Sequence, residues 1–458
     1  MREDQWDREQ TPVLPAMGAH WSKEEDTEVS ELFSQALAQA TEGMESEQAD
    51  RYLAALFEDE AVETEHLFER ITMEQCSQLP VPSYHPDRAV REASLARKDH
   101  WKSKEGGELS YVASNELEVY LGLQGQPLDI SQALKEIRKL SDSTVLTARI
   151  LLGLWNIRRH NKQVSKDGSV AILLDEILQW QGIQKHSRLA HPGTTKRYTD
   201  GYRIEQRQRV LQDMALLASC HVRGSCSITI RGKATQIEVD GPYMRYDIVS
   251  RKTAWGDKVI LGFLVAPGGW IGTYEQHQNS SFAQIDSQVF RLNPQNDRYA
   301  LRLALYLTER WREQAKEGNF STPVVMSELL TASMIEVDRR HLTADFAPAI
   351  ERALLKLEHM HILGRHTCIA GFHIGVDDTR VNTCMRVHGQ REHVEAPPLA
   401  DENPCLTAAE YDQARWGKEW LASRWELLPP VELIQAYQPL QTTRKKRGRK
   451  SMQKEASR

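Results

Sequence analysis

Apolar residues recur at helical spacing from Thr144 to His160 (TVLTARILLGLWNIRRH), where Val145, Leu146, Ile150, Leu154 and Ile157 predict a helix with Asp142 or Ser143 as N-cap. A short β-like run, Ser169 to Leu174, and a second short helix, Asp175 to Trp180, follow, with Gly182 as a stop. A polar stretch then leads to a third helix, about Asp200 to Ala218, whose apolar residues Ile204, Leu211, Met214 and Leu217 are expected to face a core. Alternating runs at Cys226 to Arg231, Thr235 to Val239, Met244 to Ser250 and Lys258 to Leu264, punctuated by Gly232, Gly241 and Pro242, predict strands.

The same order returns downstream. Asn296 to Glu317 predicts a long amphipathic helix with Tyr299, Leu303, Tyr306, Leu307 and Trp311 inward. Pro323-Val324-Val325 predicts a strand, Met326 to Ala332 a short helix, and Thr343 to His359 a third helix with Phe346, Ile350, Leu354 and Leu357 on its core stripe. Leu363 to Phe372 and Val381 to Val387 predict a second wing. Helix, strand, helix, helix and hairpin is the element order of a winged helix, whose third helix enters the major groove of DNA. The expected class is α+β, mainly helical, with two tandem winged-helix (helix-turn-helix) domains at 140–275 and 284–390.

Charge sharpens this picture. The chain of 458 residues has a formal net charge of −6. Residues 1–70 hold 19 acids against five bases, a net of −14, so residues 71–458 carry +8. Residues 1–110 are therefore expected to form an acidic, loosely ordered, partly disordered N-terminal arm, with short helical runs at Val29 to Ala40 and Ala49 to Phe57 and a loop-like stretch at 77–110. Residues 395–440 read as a linker (EAPPLADENP) and a C-terminal helix, Ala408 to Trp425, and 441–458 as a basic tail. No apolar run reaches membrane-span length, and the N-terminus has no secretory h-region, so a cytoplasmic protein is expected. Six scattered cysteines without a CxxC pair fit free thiols.

The candidate chemistry lies in Lys185 to Arg209, KHSRLAHPGTTKRYTDGYRIEQRQR, with seven bases against two acids immediately before the third helix. Lys185, Arg188, Lys196 and Arg197 suit phosphates, which position a protein without specifying sequence, and Tyr198 is an aromatic DNA-binding candidate inside the same segment. Tyr202, Arg203, Gln206 and Arg207 occupy the expected first turn of a reading helix, where Arg pairs with guanine and Gln with adenine. Arg339, Arg340, Arg352 and Lys356 are the corresponding candidates in the second unit, diluted by Glu351 and Glu358. Arg158, Arg159, His160 and Lys162 offer backbone contacts or a complement to a helix dipole. Arg447 and Arg449, within Lys446 to Lys450, resemble the Arg-Gly-Arg core of a minor-groove hook without its usual flanking prolines.

The segment DRYALRLALYLTERWRE, followed by strand, short helix and third helix, resembles the second domain of plasmid replication initiators of the iteron-binding kind. The segment LDEILQWQGIQKH…PGTTKRYTDGYRIEQRQRVLQDMALLA, with a late Gly-Gly-Trp, resembles large plasmid-borne helix-turn-helix proteins; the resemblance covers about 140–390. The resemblance implies that each domain reads half of a repeated site, that one domain serves a dimer in a repressor form, and that double-stranded DNA and replication proteins are the partners. A winged-helix transcriptional regulator has the same architecture, and winged helices also bind proteins. His359-Met360-His361 matches the His-hydrophobe-His triplet of rolling-circle nucleases and relaxases, but it closes a helical run, where positions two apart face different ways. Phosphate loops of the GxxxxGK[ST] and GxGxxG types are absent from the sequence, so ATP hydrolysis and nicotinamide chemistry find no support; a non-enzymatic protein without cofactor or metal is the expectation, with a rolling-circle nuclease as the alternative.

Overall fold

The computed structural model describes residues 71–437, apart from 74, 105–106, 124–125, 190–196, 231–232, 253–257, 277–281, 378–379 and 388–415. The acidic segment 1–70, the linker read at 395–404 and the basic tail therefore lie outside the described residues, as do Lys196, Arg447 and Arg449.

Strand β1 (Gln78–Pro82) is followed by helix α1 (His85–Leu95), strands β2 (Lys102–Ser103), β3 (Leu109–Val112), β4 (Glu118–Leu123) and β5 (Gln126–Pro127), and helix α2 (Ile130–Ile137). The middle of the chain runs α3 (Asp142–His160), β6 (Val170–Leu173), α4 (Leu174–Trp180), β7 (His186–Leu189), β8 (Arg197–Gly201) and α5 (Ile204–Ser219). Four long strands come next: β9 (Cys220–Ile230), β10 (Lys233–Pro242), β11 (Met244–Lys252) and β12 (Lys258–Pro267). Helix α6 (Trp270–Gln276) and strand β13 (Phe282–Asp286) lead to α7 (Arg298–Glu317), β14 (Val324–Val325), α8 (Met326–Ala332), α9 (Ala347–His359), β15 (Arg365–Asp377) and β16 (Arg380–Val387). A helix over 416–421, strand β17 (Arg424–Leu428) and a helix over 431–437 complete the described chain. The class is mixed α/β, so the expectation of a mainly helical chain holds only in part.

The loop-like reading of 77–110 is corrected. Its prolines fit regular elements because of where they fall. Strand β1 pairs with β13 alone, in a two-stranded ribbon. Pro80 lies opposite Gln284, whose N–H turns away to donate to Tyr437 Oη at 3.0 Å, so the missing N–H of the proline leaves no ladder bond unmade. Pro86 occupies the first turn of α1, where helical N–H groups have no partner in any case.

Three further sheets organise the molecule. Strands β10, β9, β4, β3 and β2 form one in that order. A second has the order β11, β12, β6, so the short strand before α4 joins the second hairpin after α5, while β9 and β10, which follow α5 directly, belong to the first sheet. In the third, β14, β17, β15 and β16 lie side by side. Strands β15 and β16 pair as the hairpin expected downstream of α9, and that order adds a strand the sequence did not suggest. The strand beside β14 is β17, from the region read as a C-terminal helix, and β16 sits on the outer edge of β15. Trp425 accordingly lies on a strand, while Trp416 and Trp420 are helical. The Gly-Gly-Trp phrase has a packing cause: a Cβ on Gly268 would meet the Pro242 carbonyl oxygen at 1.8 Å, and the Trp270 indole N–H donates to the Tyr243 carbonyl at 2.8 Å.

Helix α3 is buried on most of its faces, with Val145, Leu146, Ile150, Leu151, Leu154 and Trp155 all within the core. It also carries the principal polar joint. Arg302 of α7 donates to both carboxylate oxygens of Asp142, at 2.7 and 2.9 Å, and Arg149 donates to Glu309 at 2.6 Å. The partners are seven residues apart on each helix, so two turns of α3 and two of α7 run alongside in the same direction. Arg149 also pairs with Asp87 of α1, which accepts a hydrogen bond from Tyr243 Oη at 2.7 Å. Arg91 and Arg88 reach Glu309 at 3.2 and 3.5 Å. Burial opposes the ionisation of Glu309, yet the guanidiniums of Arg91, Arg149 and Arg88 outweigh it and hold its carboxyl below the ordinary value. One charged cluster thus ties together α1, α3 and α7.

Candidate nucleic-acid interface

Helix α5 begins where the backbone N–H of Arg203 donates to Gln206 Oε1 at 2.9 Å, a side-chain cap on its first turn. Val210, Asp213, Met214 and Leu217 form its inward stripe at spacings of three and four, with Leu216 beside them. Asp213 is the polar member of that stripe. Its carboxylate accepts hydrogen bonds from Ser143 Oγ at 2.9 Å, Thr144 Oγ1 at 2.8 Å and Thr147 Oγ1 at 3.1 Å, all in the first turns of α3. A carboxylate at a helix N-terminus also meets the positive end of its dipole.

Burial nevertheless pushes the Asp213 carboxyl above its ordinary value, against those three hydroxyls and nearby Arg209. A raised folded value means that the contribution of this group to stability is complete below the unfolded value of about 3.9 and is lost as pH rises through the folded value. Asp213→Asn removes that titration while keeping a hydrogen-bonding amide. Chemical denaturation across pH 4 to 8 should show the variant gaining on the wild type as pH rises. A pH-independent difference would contradict the assignment. Asp213→Leu, which leaves the hydroxyls without an acceptor, should cost about 1–3 kcal/mol.

The structure separates the sequence candidates into outward and inward groups. Arg203 and Lys185 are exposed, and Lys185 Nζ stands 5.7 Å from the Tyr202 ring centroid. Arg188, Arg197 and Tyr198 lie on the β7–β8 hairpin, in a register that pairs Arg188 with Tyr198 and Leu189 with Arg197. This hairpin is inserted between α4 and α5. Tyr202 is 8% exposed and belongs to the core, which corrects its expected reading role. Gln206 is occupied as the cap described above, and Arg207 donates to Asp175 Oδ1 of α4 at 3.0 Å. Both therefore fix α5 in place in this structure.

Sequence reasoning missed the residues on the solvent side. Ile204, expected in the core, is 71% exposed. With Glu205, Gln208, Arg209 and Gln212 it forms the outward face of α5. Arg209 reaches across to the first turn of α3, its Nε donating to Ser143 Oγ at 3.2 Å. The signal was the stripe itself: once Val210, Met214 and Leu217 are inward, 204, 208 and 212 must face out. The stripe was misjudged because an aspartate does not announce itself as a core residue.

The second unit offers a similar but more heavily paired surface. Arg339 and Arg340 are exposed on the turn before α9, where Asp338 accepts hydrogen bonds from the N–H groups of Arg340 and His341 at 3.0 and 3.3 Å. Arg352, Lys356 and His359 share the outward face of α9. Arg352 Nε donates to the Pro348 carbonyl at 3.3 Å, and Lys356 Nζ to Asp297 Oδ1 at 2.6 Å. Glu351 does not dilute this face: it is buried and accepts from the Trp420 indole at 2.9 Å. Glu358 pairs with His366. His359 ends α9, and His361 sits on the following turn at φ 56, so the two do not share a strand face.

The bases at the end of α3 have structural partners. Arg158 is buried against both carboxylate oxygens of Glu176, at 2.9 and 2.7 Å, and Arg159 lies over the Trp155 ring at 5.1 Å. At the tip of the β11–β12 hairpin the register pairs Arg251 with Val259 and Lys252 with Lys258. Among the described residues, no helix is long and apolar enough to cross a membrane. No family model, curated protein or solved structure matches the chain.

Proposed function

We propose that this chain is a sequence-specific double-stranded DNA-binding protein built on tandem winged-helix units, acting as a plasmid-type replication initiator. The observation that carries the reading is the outward face of α5: an exposed helical face bordered by Lys185, Arg203 and Arg209, on a helix that the β7–β8 hairpin leads into and that β11 packs against. The sheet order β11, β12, β6 around α3, α4 and α5 supports a winged helix in the first unit. The sequence α7, β14, α8, α9, with β17 between β14 and β15, supports a second one.

In this reading α5 lies in the major groove and the β11–β12 hairpin rests on the adjoining backbone. The bases on α9 engage the duplex further along. The pairs Arg302–Asp142 and Arg149–Glu309 hold the two units in one register, as two readers of a repeated site require. Docking of both units would help open a neighbouring AT-rich stretch, with replication proteins recruited to it. The reaction is one of binding, with no bond made or broken by the protein.

Footprinting of the full-length chain on DNA flanking its own gene tests the reading. Protection of a set of direct repeats is expected. Protection of one site overlapping a promoter would assign the same architecture to a transcriptional regulator. Absence of protection at any concentration would contradict DNA binding itself.

A further inference from the structure

We propose that α5 reads A·T base pairs in the major groove through an uncharged row formed by Ile204, Gln208 and Gln212. This rests on the DNA-binding reading above and names the substrate of that surface. Residues four apart stack in a single row along a helix, and all three of these are exposed.

The chemistry of the row is specific. A glutamine amide carries one donor and one acceptor side by side, and the adenine edge presents the matching N6–H donor and N7 acceptor. Guanine instead offers two acceptors, which a row containing Arg or Lys would match. This row contains neither. Ile204 is 71% exposed at the first turn of α5, the part of a reading helix nearest the base edges. The apolar group available there is the thymine C5 methyl. From Ile204 to Gln212 the helix rises about 12 Å, which spans roughly three to four base pairs.

The neighbouring row, Glu205 and Arg209, is charged. Arg209 is drawn sideways by its bond to Ser143 Oγ, which sets it beside the groove rather than in it. A protein-docking helix would extend its apolar residues along the row. Here one isoleucine is followed by two amides, within a border whose bases, Lys185, Arg203 and Arg209, outnumber its one acid, Glu205, and so complement a polyanion.

The test uses the full-length chain and a duplex obtained by random-sequence selection with the wild type. The selected site should contain consecutive A·T pairs. Gln208→Ala should lower the discrimination of A·T over G·C at one position about tenfold. Replacing one thymine by uracil, which removes only the methyl, should weaken the wild type about fourfold. The same replacement should not affect Ile204→Ala. These side chains face solvent, and unchanged thermal melting of the variants separates loss of reading from loss of fold. Should the wild type select a site with salt-dependent affinity while Gln208→Ala and uracil change nothing, DNA binding stands and the proposed row is wrong. Absence of salt-dependent duplex binding would overturn both.

Discussion

Arg149→Ala is expected to destabilise the chain by about 3–5 kcal/mol, more than any other single substitution in the charged cluster of α1, α3 and α7. The side chain is 2% exposed and bonds Asp87 and Glu309, which are themselves 2% and 4% exposed. Removing the guanidinium leaves two carboxylates in the interior, with Arg91, Arg88 and Tyr243 as their remaining partners. The cost comes mainly from those stranded charges rather than from the pair's own attraction, since desolvation offsets much of what a buried pair gains. The outer rung gives the control. Arg302 and Asp142 are 19% and 13% exposed, so Arg302→Ala should cost less, about 1–2 kcal/mol. Denaturant midpoints of the two variants check the order. A loss below about 1 kcal/mol for Arg149→Ala would show that the cluster does not join the two units.

The combined variant Lys185→Ala, Arg203→Ala, Arg209→Ala is expected to bind duplex DNA about a hundredfold more weakly near 0.15 M salt while melting close to the wild type. The magnitude follows from counterion release. Each lost phosphate contact lowers the slope of log affinity against log salt by about 0.9, and three contacts amount to roughly two decades at that concentration. The loss should be similar on selected and random sequences, because phosphate contacts position without specifying. Arg207→Ala should behave differently. Arg207 is tied to Asp175, so its removal loosens α5 against α4 and lowers stability together with binding. Equal loss of affinity without loss of stability for Arg207→Ala would return it to the group of direct contacts.

Local elements were readable from the sequence because their patterns are periodic. The inward faces of α7 and α9, with Leu303, Leu307, Trp311, Ile350, Leu354 and Leu357, emerged as the spacing required. Strand β6, helices α4 and α5 and the strands β9 to β12 were also legible, but the β7–β8 hairpin reads in sequence as a basic loop, and α5 as a helix from Asp200 instead of Ile204. What else escaped was long-range. Strand β17 takes its place between β14 and β15 from a distant part of the chain, a pairing no local pattern encodes. The regular elements in 77–110 were hidden by prolines that read as breakers until their partners are known.

The site was legible as a region and misread in detail. Its charge is visible in any window, but which side of α5 faces solvent depends on Asp213 being satisfied by three hydroxyls from α3. Without that contact an aspartate looks like a surface residue and the helix turns the wrong way. Tyr202 and Gln206 then appear as readers, although one is core and the other a cap.

The most direct measurement is the affinity of the full-length chain for a selected duplex and for a random one, titrated over salt. Both affinities are expected to fall linearly with log salt, and the selected duplex to bind about a thousandfold tighter or better. Affinity that does not respond to salt, or that is the same for both duplexes, would contradict the claim that α5 reads DNA.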